Sequence, residues 1–372
     1  MSEKYYKHIF CEKKFLEHCI STIDNWNFCK ENFVELQIWL CIKKMIFSSG
    51  IILHLDITND YIDDIEKRNP NERSSIDKVI LEIVDRQQSN SDREPGIQLK
   101  NSDFVTLQNI DKSNNEQLTA YYLTSCDSET CQKYMKECGV LAICPENIKD
   151  FKGIIYDNGI AINKNQEISW DSILKFYPKQ CNSLIITDNY ILSDTNSKDN
   201  LIDIFRIILP QSLDIDIPFQ ISIFTQDIDW QIDWQLDDPI DSGEKSKQEK
   251  FYSKMAQTIE ILRPNLRFKL CIFKCSSETF HDRILVTNNY YINCGGGFNL
   301  IKQNGSKSGK MTSINIVYPY LNSSIKWTTV AYSNFINNVS SIYNSKNLTQ
   351  LRNITDNTAY IGNKKNRLFK TI

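Results

Sequence analysis

The sequence has no hydrophobic run long enough to cross a membrane and no apolar segment at its start that would direct secretion. Its longest apolar stretch, around Met45–Leu55, is interrupted by Ser48, Ser49 and Gly50, whereas a membrane-spanning helix needs about 20 apolar residues. The first residues, MSEKYYKH, lack the hydrophobic core of a signal peptide. We therefore expect a cytoplasmic protein without a membrane span.

An excess of positive charge is also missing. The 372 residues include 43 Lys and Arg against 46 Asp and Glu, which gives a net charge of −3 at neutral pH. The chain therefore has no overall basic character that would indicate nucleic-acid binding. The hydrophobic fraction of 41% is typical of a globular protein, and this length is sufficient for two domains with complete cores.

Cysteines with metal-site spacing are missing from the region where cysteines concentrate. Cys126, Cys131, Cys138 and Cys144 include no Cys-x-x-Cys pair, and Cys131 and Cys138 fit the buried face of a helix instead. The sequence has twelve cysteines and no export signal, which favours reduced thiols over a disulfide framework. We expect neither a metal nor a cofactor.

Histidine is scarce, and one of the four histidines lies in the most informative segment, Phe280–Leu300 (FHDRILVTNNYYINCGGGFNL). Two β-rich runs flank Thr287-Asn288-Asn289, which predicts a β-hairpin. Residues two apart on a strand share a face, so we expect His281 and Arg283 to point into one cleft. An imidazole and a guanidinium near the glycines at 295–297 suit phosphate binding.

This spacing resembles the half-site motif of the phospholipase D-like superfamily, which runs His-x-Lys, four residues, Asp, six residues, Gly-Ser. His281, Arg283, Asn288 and Gly295-Gly296 fall on these positions in order. Arginine replaces the lysine, asparagine replaces the aspartate, and Gly296 replaces the serine. The His-Asp-Arg sequence is most similar to the branch that includes the C-terminal domain of MIT-domain proteins, which is a binding rather than a catalytic member.

The pattern around the motif predicts α/β order over residues 183–343, the part of the chain that the resemblance covers. Strands are predicted at 183–192, with a break at Asp188, and at 219–225 and 267–274. Apolar residues at helical spacing predict helices over 200–209, from Phe251 to Leu262 and from Trp327 to Ile342. This order predicts a mixed sheet flanked by helices.

The N-terminal region is interpreted as a second α/β domain with its own core. Tyr121–Leu123, a helix capped by Asp127 or Ser128 and ended by Gly139, and a strand at 140–144 form a predicted βαβ unit. Another strand with a tight turn is predicted at 154–159. Asp56 and Asp127 follow strands, which permits a metal-dependent nuclease or a receiver-like fold. The stronger interpretation is that such acids cap helices or face water.

These elements predict an α/β chain with four segments. The N-terminal α/β domain takes residues 1–162 and a linker takes 163–180. The phospholipase D-like domain takes 181–345, with an acidic, tryptophan-containing insertion at 227–250. Residues 346–372 are predicted to be a C-terminal tail, which carries the weak basic patch Lys364-Lys365-Asn366-Arg367.

The resemblance implies a catalytic function as one alternative. His281 would then be the nucleophile of a metal-independent phosphodiesterase or nuclease, and Arg283 would hold a non-bridging oxygen. Asn288 would complete this set of candidate catalytic residues. Active members need two half-sites, so a homodimer or a partner would supply the second histidine.

The other alternative is binding, and the three substitutions favour it. Gly295, Gly296, Gly297 and Asn299 would line a pocket that receives a phosphate or a protein partner. Nucleic acid would then be reached through that partner. The resemblance also suggests a component of a prokaryotic conflict (anti-phage) system, which is an argument from analogy.

Overall fold

The computed structural model describes residues 7–26, 33–48, 50–89, 104–154, 158–162, 169–174, 180–232, 246–276, 283–295, 297–298, 312–319, 321, 326–345, 349–350 and 359–369. The chain divides into two compact units. The first is Met1–Asp157 with Val317–Asn337, and the second is Asn158–Ile316 with Asn338–Ile372. The described residues form helices together with parallel and mixed sheets, so the predicted α/β class is confirmed.

The first unit contains a parallel sheet whose four described strands follow the order β2-β1-β3-β4. These strands are β1 Lys7–Cys11, β2 Ile51–Leu55, β3 Tyr121–Leu123 and β4 Leu141–Ile143. All but one of their residues are buried. Such continuous burial is typical of parallel strands that are covered on both faces.

The helices of the first unit follow the apolar periodicity of the sequence. They are α1 Lys13–Asp24, α2 Phe33–Ile46, α3 Asn59–Lys67, α4 Ser75–Ser89, α5 Asn115–Leu118 and α6 Ser128–Cys138. Asp127 caps the start of α6, and Gly139 ends it with a left-handed φ of 65°. Strand β3 precedes α6 in the chain and β4 follows it, and the two strands pair with each other in parallel. The predicted βαβ unit is therefore confirmed.

The second unit contains a mixed sheet with the order β12-β13-β8-β7-β6-β9-β10-β11-β5 among the described strands. The strands are β5 Asn158–Ile162, β6 Ser183–Thr187, β7 Phe219–Thr225, β8 Phe268–Lys274, β9 Ile284–Thr287, β10 Tyr291–Cys294, β11 Thr312–Val317, β12 Thr349–Gln350 and β13 Ala359–Gly362. Strands β6, β7 and β8 are parallel neighbours. Strand β9 runs antiparallel to β6 and forms the predicted hairpin with β10.

Four more α-helices are described, namely α7 Trp170–Leu174, α8 Thr195–Ile208, α9 Lys247–Leu262 and α10 Lys326–Tyr343. Asp194 caps α8 by accepting a hydrogen bond from Ser197 N. Ser246 and Glu249 form a reciprocal capping box at the start of α9. Among the described residues, no helix is both long enough and apolar enough to cross a membrane.

The division of the chain differs from the predicted segments at three places. Val317–Asn337, predicted to lie in the phospholipase D-like domain, belong to the first unit. Strand β5, assigned above to the N-terminal domain, pairs with β11 from Ile162↔Thr312 to Asn158↔Ile316 and so belongs to the second sheet. Strand β13, assigned to the tail, pairs with β8. In addition, a 3₁₀ helix occupies Ile148–Ile154 and β5 begins only at Asn158, whereas a strand was predicted at 154–159. The partners of these short strands are remote in sequence, so local periodicity does not identify them.

After β13 the chain crosses the amino ends of the central strands. Asn363 N donates to Leu270 O at 2.8 Å. The Asn366 side-chain amide donates to Leu184 O and to Ser222 Oγ, both at 3.1 Å. Arg367 donates from its guanidinium to Asn182 O at 3.2 Å and to Pro218 O at 2.9 Å. The segment predicted to be a tail therefore holds β6, β7 and β8 together.

Candidate functional site

Strands β6 and β9 adjoin where the parallel part of the second sheet ends. Their antiparallel register pairs Thr187 with Ile284, so Asp188, just after β6, lies next to Arg283, just before β9. This is the carboxyl edge of the parallel strands, the edge at which open α/β sheets hold ligands.

Asp188 is a buried carboxylate, only 2% exposed. Its Oδ1 accepts a hydrogen bond from Tyr190 N and its Oδ2 accepts one from Phe298 N, each at 2.9 Å. Burial raises the pKa of Asp188, while the two N–H groups and the positive charge of Arg283 oppose that rise. Asp188 thus ties the end of β6 to the segment that follows the glycines, and it lies close to the guanidinium.

Arg283 is half-buried, and its backbone carbonyl accepts a hydrogen bond from Cys294 N at 2.9 Å. Its guanidinium donates from Nη1 to Gly295 O over 3.4 Å, which is long for an N–H···O bond. Within the described part of the chain, no further hydrogen bond or ion pair engages this guanidinium. Because a guanidinium carries five N–H donors, Arg283 retains donors for a ligand.

Gly297 allows the close approach of these groups. Its φ is +89°, and a Cβ atom at this position would lie 3.2 Å from Asp188 Oδ2 and 3.3 Å from Arg283 Cδ and Nε. Gly297 N donates to Cys294 O at 3.1 Å, which closes a tight turn after β10. A glycine is therefore favoured both by the left-handed backbone and by the lack of space for a side chain.

The structure brings three of the predicted site residues together, namely Arg283, Gly295 and Gly297. The β9–β10 hairpin accounts for this, since residues at equal distances from its turn adjoin. Arg283 lies just before β9 rather than within it. His281, Gly296 and Asn299 lie outside the described residues.

Asn288 is not part of this site. It lies in the turn at the other end of β9, and its Oδ1 accepts a hydrogen bond from Asn182 N at 2.9 Å. Five strand steps separate it from Arg283, or about 16 Å at the rise of a β-strand. The prediction that Asn288 shares a pocket with Arg283 is therefore wrong. A β-strand is nearly extended, so residues five positions apart along it are far apart in space.

Sequence reasoning missed Asp188 as a site residue and treated it only as the end of a strand. The available signal was a charged residue directly after the β-rich run Ser183–Thr187 (SLIIT), which indicates the carboxyl end of a buried strand. Its proximity to Arg283 requires the pairing of β6 with β9, and these residues are 95 positions apart in the chain.

In the first unit, the two acids that follow strands have different surroundings. Asp127 Oδ1 accepts from Thr130 N at 2.7 Å, and the backbone and hydroxyl hydrogen bonds of Thr130 lower the pKa of Asp127. Asp56 is exposed. No group of three or more His, Cys, Asp or Glu side chains in the described ranges is placed to hold a metal ion. Asp127 therefore matches the helix-capping interpretation.

Buried polar side chains on both faces of β1 were also not predicted. His8 Nδ1 and His54 Nε2 lie 3.0 Å apart, although 46 positions separate them in sequence. Lys7 is buried, donates to Thr119 O and lies over the Tyr121 ring at 3.9 Å. Burial holds the pKa of Lys7 well below its usual value. The parallel pairing of β1 with β2 and β3 creates these two sets of contacts, which local sequence patterns do not reveal.

Cys131 on α6 and Cys144 at the end of β4 influence each other's ionisation. The interaction with the Cys131 side chain is the largest cause of a Cys144 pKa lowered to about 7. Burial opposes the shift, whereas the backbone N–H groups of Glu146 and Asn147 support it. Every described cysteine is free of disulfides.

No protein-family model matches the sequence, and no curated protein shows significant similarity to it. Function is therefore inferred from the chemistry of the site.

Proposed function

We propose that the carboxyl edge of β6 and β9 is a phosphate receptor in a phospholipase D-like binding module, which recognises a phosphate-bearing ligand or an acidic partner protein. One observation carries this proposal. The half-buried Arg283 guanidinium makes a single long hydrogen bond, to Gly295 O at 3.4 Å, within the described residues.

Arginine is suited to this function because its planar fork can hold two oxygens of one phosphate. Each charge-assisted hydrogen bond of this kind contributes about 1.5–3 kcal/mol. Gly297 supports the proposal because its tight turn lets Asp188 and Arg283 lie side by side, each within 3.3 Å of the point where a Cβ atom would lie. A side chain at this position would displace the guanidinium.

Asp188 supports the same function by orienting the cation. Both of its carboxylate oxygens already accept backbone N–H groups, so the carboxylate attracts the guanidinium without occupying all of its donors. The buried negative charge also reduces the net charge of the site. Recognition then depends on bidentate geometry as well as on charge.

Binding is proposed rather than phosphodiester cleavage because arginine does not give up its proton near neutral pH. A site with arginine at the position of the motif lysine keeps its affinity for phosphate but loses a proton donor. Assembly with a protein partner or as a homodimer, and a role in a prokaryotic conflict (anti-phage) system, belong to the same proposal and rest on the sequence resemblance.

The direct test measures binding of inorganic phosphate, pyrophosphate and a 5′-phosphorylated oligonucleotide by calorimetry. Arg283→Gln should weaken binding by about tenfold or more, since at least one charge-assisted hydrogen bond is lost. Arg283→Lys should be intermediate because it keeps the charge without the fork. Arg206→Gln is the matched control, since Arg206 is an exposed arginine on α8 that pairs with Asp203.

Two outcomes would contradict the proposal. One is wild-type protein with no measurable affinity for any of the three ligands, or with affinity that Arg283→Gln leaves unchanged. The other is EDTA-resistant cleavage of DNA, RNA or phospholipid that His281→Ala abolishes while substrate binding persists, which would establish the phosphodiesterase alternative.

A further inference from the structure

A second concentration of positive charge lies at the amino edge of the second sheet, at the opposite ends of the strands from Arg283. Arg267 and Lys365 are exposed, and Lys269 and Lys364 are half-buried. Arg367 lies beneath them and is 7% exposed. We call these five residues the amino-edge cationic surface.

The fold fixes these charges in place. Strand β13 runs antiparallel to β8 and ends with Gly362 opposite Cys271. The hydrogen bond from Asn363 N to Leu270 O extends that pairing by one residue, so the next residues return along the start of β8, beside Lys269. The guanidinium of Arg367 is anchored on two backbone carbonyls, those of Asn182 and Pro218.

The partners of these cations are uncharged. Arg267 donates to Ile215 O, and the Lys364 ammonium lies 4.8 Å from the Tyr343 ring centroid and 5.0 Å from that of Tyr360. Across the described ranges, no carboxylate lies within ion-pair distance of any residue of the surface.

The cations also repel one another. The pKa of Lys269 is lowered first by burial and then by the positive charges of Lys365, Arg367 and Arg267. A fold that holds like charges together without a carboxylate between them is less stable than the same fold with an anion bound there. The surface therefore fits a ligand with several negative charges.

We propose that the amino-edge cationic surface binds the phosphodiester backbone of nucleic acid without reading its sequence. Three of the five residues are lysines, which bind phosphates as point charges, and contacts with phosphates carry no sequence information. The proposal does not rest on the Arg283 site, because the two groups lie at opposite edges of the sheet.

An anionic membrane is the other surface that attracts lysines, and the neighbouring residues disfavour it. The exposed isoleucines near Arg267 are Ile215 and Ile261, 68% and 59% exposed. Asp214 and Asp216 flank the first, and Glu260 precedes the second. Membrane binding would require the isoleucines to insert, and these carboxylates would repel anionic lipid at that point, whereas binding of a phosphodiester backbone to the lysines requires no insertion there. From 363 to 367 the exposed or half-buried side chains are Asn363, Lys364 and Lys365, none of them apolar.

The test uses the full-length chain and fluorescence anisotropy with three labelled probes of one sequence, a single-stranded DNA, its duplex and a single-stranded RNA. Wild type should bind in a salt-dependent way, with a slope of log K against log salt of about −2 or steeper if three phosphates are neutralised. The three probes show whether DNA or RNA, single-stranded or paired, is preferred.

The informative variant is Lys269→Gln combined with Lys365→Gln. It should weaken binding by about tenfold or more and make the slope shallower by about 1 for each phosphate that is no longer neutralised. Because the change removes mutual repulsion, the double variant should unfold at the same or a higher temperature than wild type. Weaker binding would then not be due to unfolding. Lys250→Gln, an exposed lysine of α9, is the matched control and should bind as wild type does.

Three results would overturn the proposal. The first is no binding of any probe by wild type at about 50 mM salt, where backbone binding is strong. The second is an equal loss of affinity in the double variant and in Lys250→Gln. The third is co-sedimentation with phosphatidylserine vesicles that the double variant loses, in a protein that binds no nucleic acid.

Discussion

The side-chain oxygen of Asn288 accepts a hydrogen bond from the backbone N–H of Asn182 at 2.9 Å, which joins the β9–β10 turn to the start of β6. The Asn288 amide donates in turn to Asn289 Oδ1 at 3.2 Å. Only an amide provides both an acceptor and a donor here, since an ionised aspartate can only accept. Asn288 therefore stabilises the hairpin on which Arg283 is placed.

We predict that Asn288→Ala and Asn288→Asp both lower the free energy of unfolding by about 1–3 kcal/mol, because each leaves a buried polar group without its partner. Phosphate affinity should be unchanged at temperatures where the variants are folded. Urea denaturation followed by circular dichroism measures the first effect, with the exposed Gln211→Ala as control. If an Asn288 variant lost phosphate affinity while it remained as stable as wild type, Asn288 would act in the site itself.

Gly297→Ala should destabilise the protein by about 1–3 kcal/mol, because an alanine is strained at a φ of +89° and its Cβ would press on Asp188 and Arg283. The same change should weaken phosphate binding, since Arg283 has to move. Gly295→Ala is the matched control. Gly295 is exposed and has no positive φ, so a change within about 0.5 kcal/mol is expected. Equal effects of the two substitutions in thermal unfolding would contradict the proposed crowding.

Asp188→Asn should change how stability depends on pH. Burial raises the folded-state pKa of Asp188, so this carboxyl contributes stability that is fully present below its unfolded pKa of about 4 and is lost as pH rises through the folded pKa. The variant lacks this contribution at every pH. The advantage of wild type over Asp188→Asn should therefore be largest below about pH 4 and smaller near neutral pH. Urea denaturation at several pH values from below pH 4 to neutral measures the difference in stability between wild type and Asp188→Asn. A wild-type advantage in stability that grows with pH would contradict the prediction.

Cys131→Ala should raise the pKa of Cys144 above about 7, because the interaction with the Cys131 side chain is the largest cause of the lowered value. The ultraviolet absorbance of the thiolate against pH measures this, and the difference from Cys144→Ser assigns the signal. Cys138→Ala removes a buried thiol from the same helix and serves as control. The same upward shift with Cys138→Ala would mean that packing, rather than the interaction with Cys131, sets the pKa of Cys144.

Local elements of this fold could be predicted from the sequence, whereas remote pairings could not. Strand β7, helix α6 and the β9–β10 hairpin follow from apolar periodicity, caps and turn residues that act within a few positions. Strands β5 and β13 have only five and four residues, and their partners lie far away in the chain. No local preference determines such pairings.

The same physical reason explains what was predicted of the site. Arg283 and Gly295 could be grouped because a hairpin returns residue 295 to residue 283. Asn288 was misplaced because it occupies the turn of that hairpin. Asp188 reaches Arg283 only through the β6–β9 register, which is a property of the assembled sheet.

The position of β13 has a consequence for how the chain folds during synthesis. This strand lies between β12 and β8, and the residues after it hold the starts of β6 and β7. Strand β5 likewise pairs with a strand that is synthesised much later, since Ile162 pairs with Thr312, 150 positions further along the chain. The sheet therefore cannot be completed until residues 359–369 have left the ribosome. Until then, the edge of β8 that β13 later covers has unpaired backbone groups that can pair with other chains. Chaperone binding and misassembly on the ribosome are expected to concentrate at that edge.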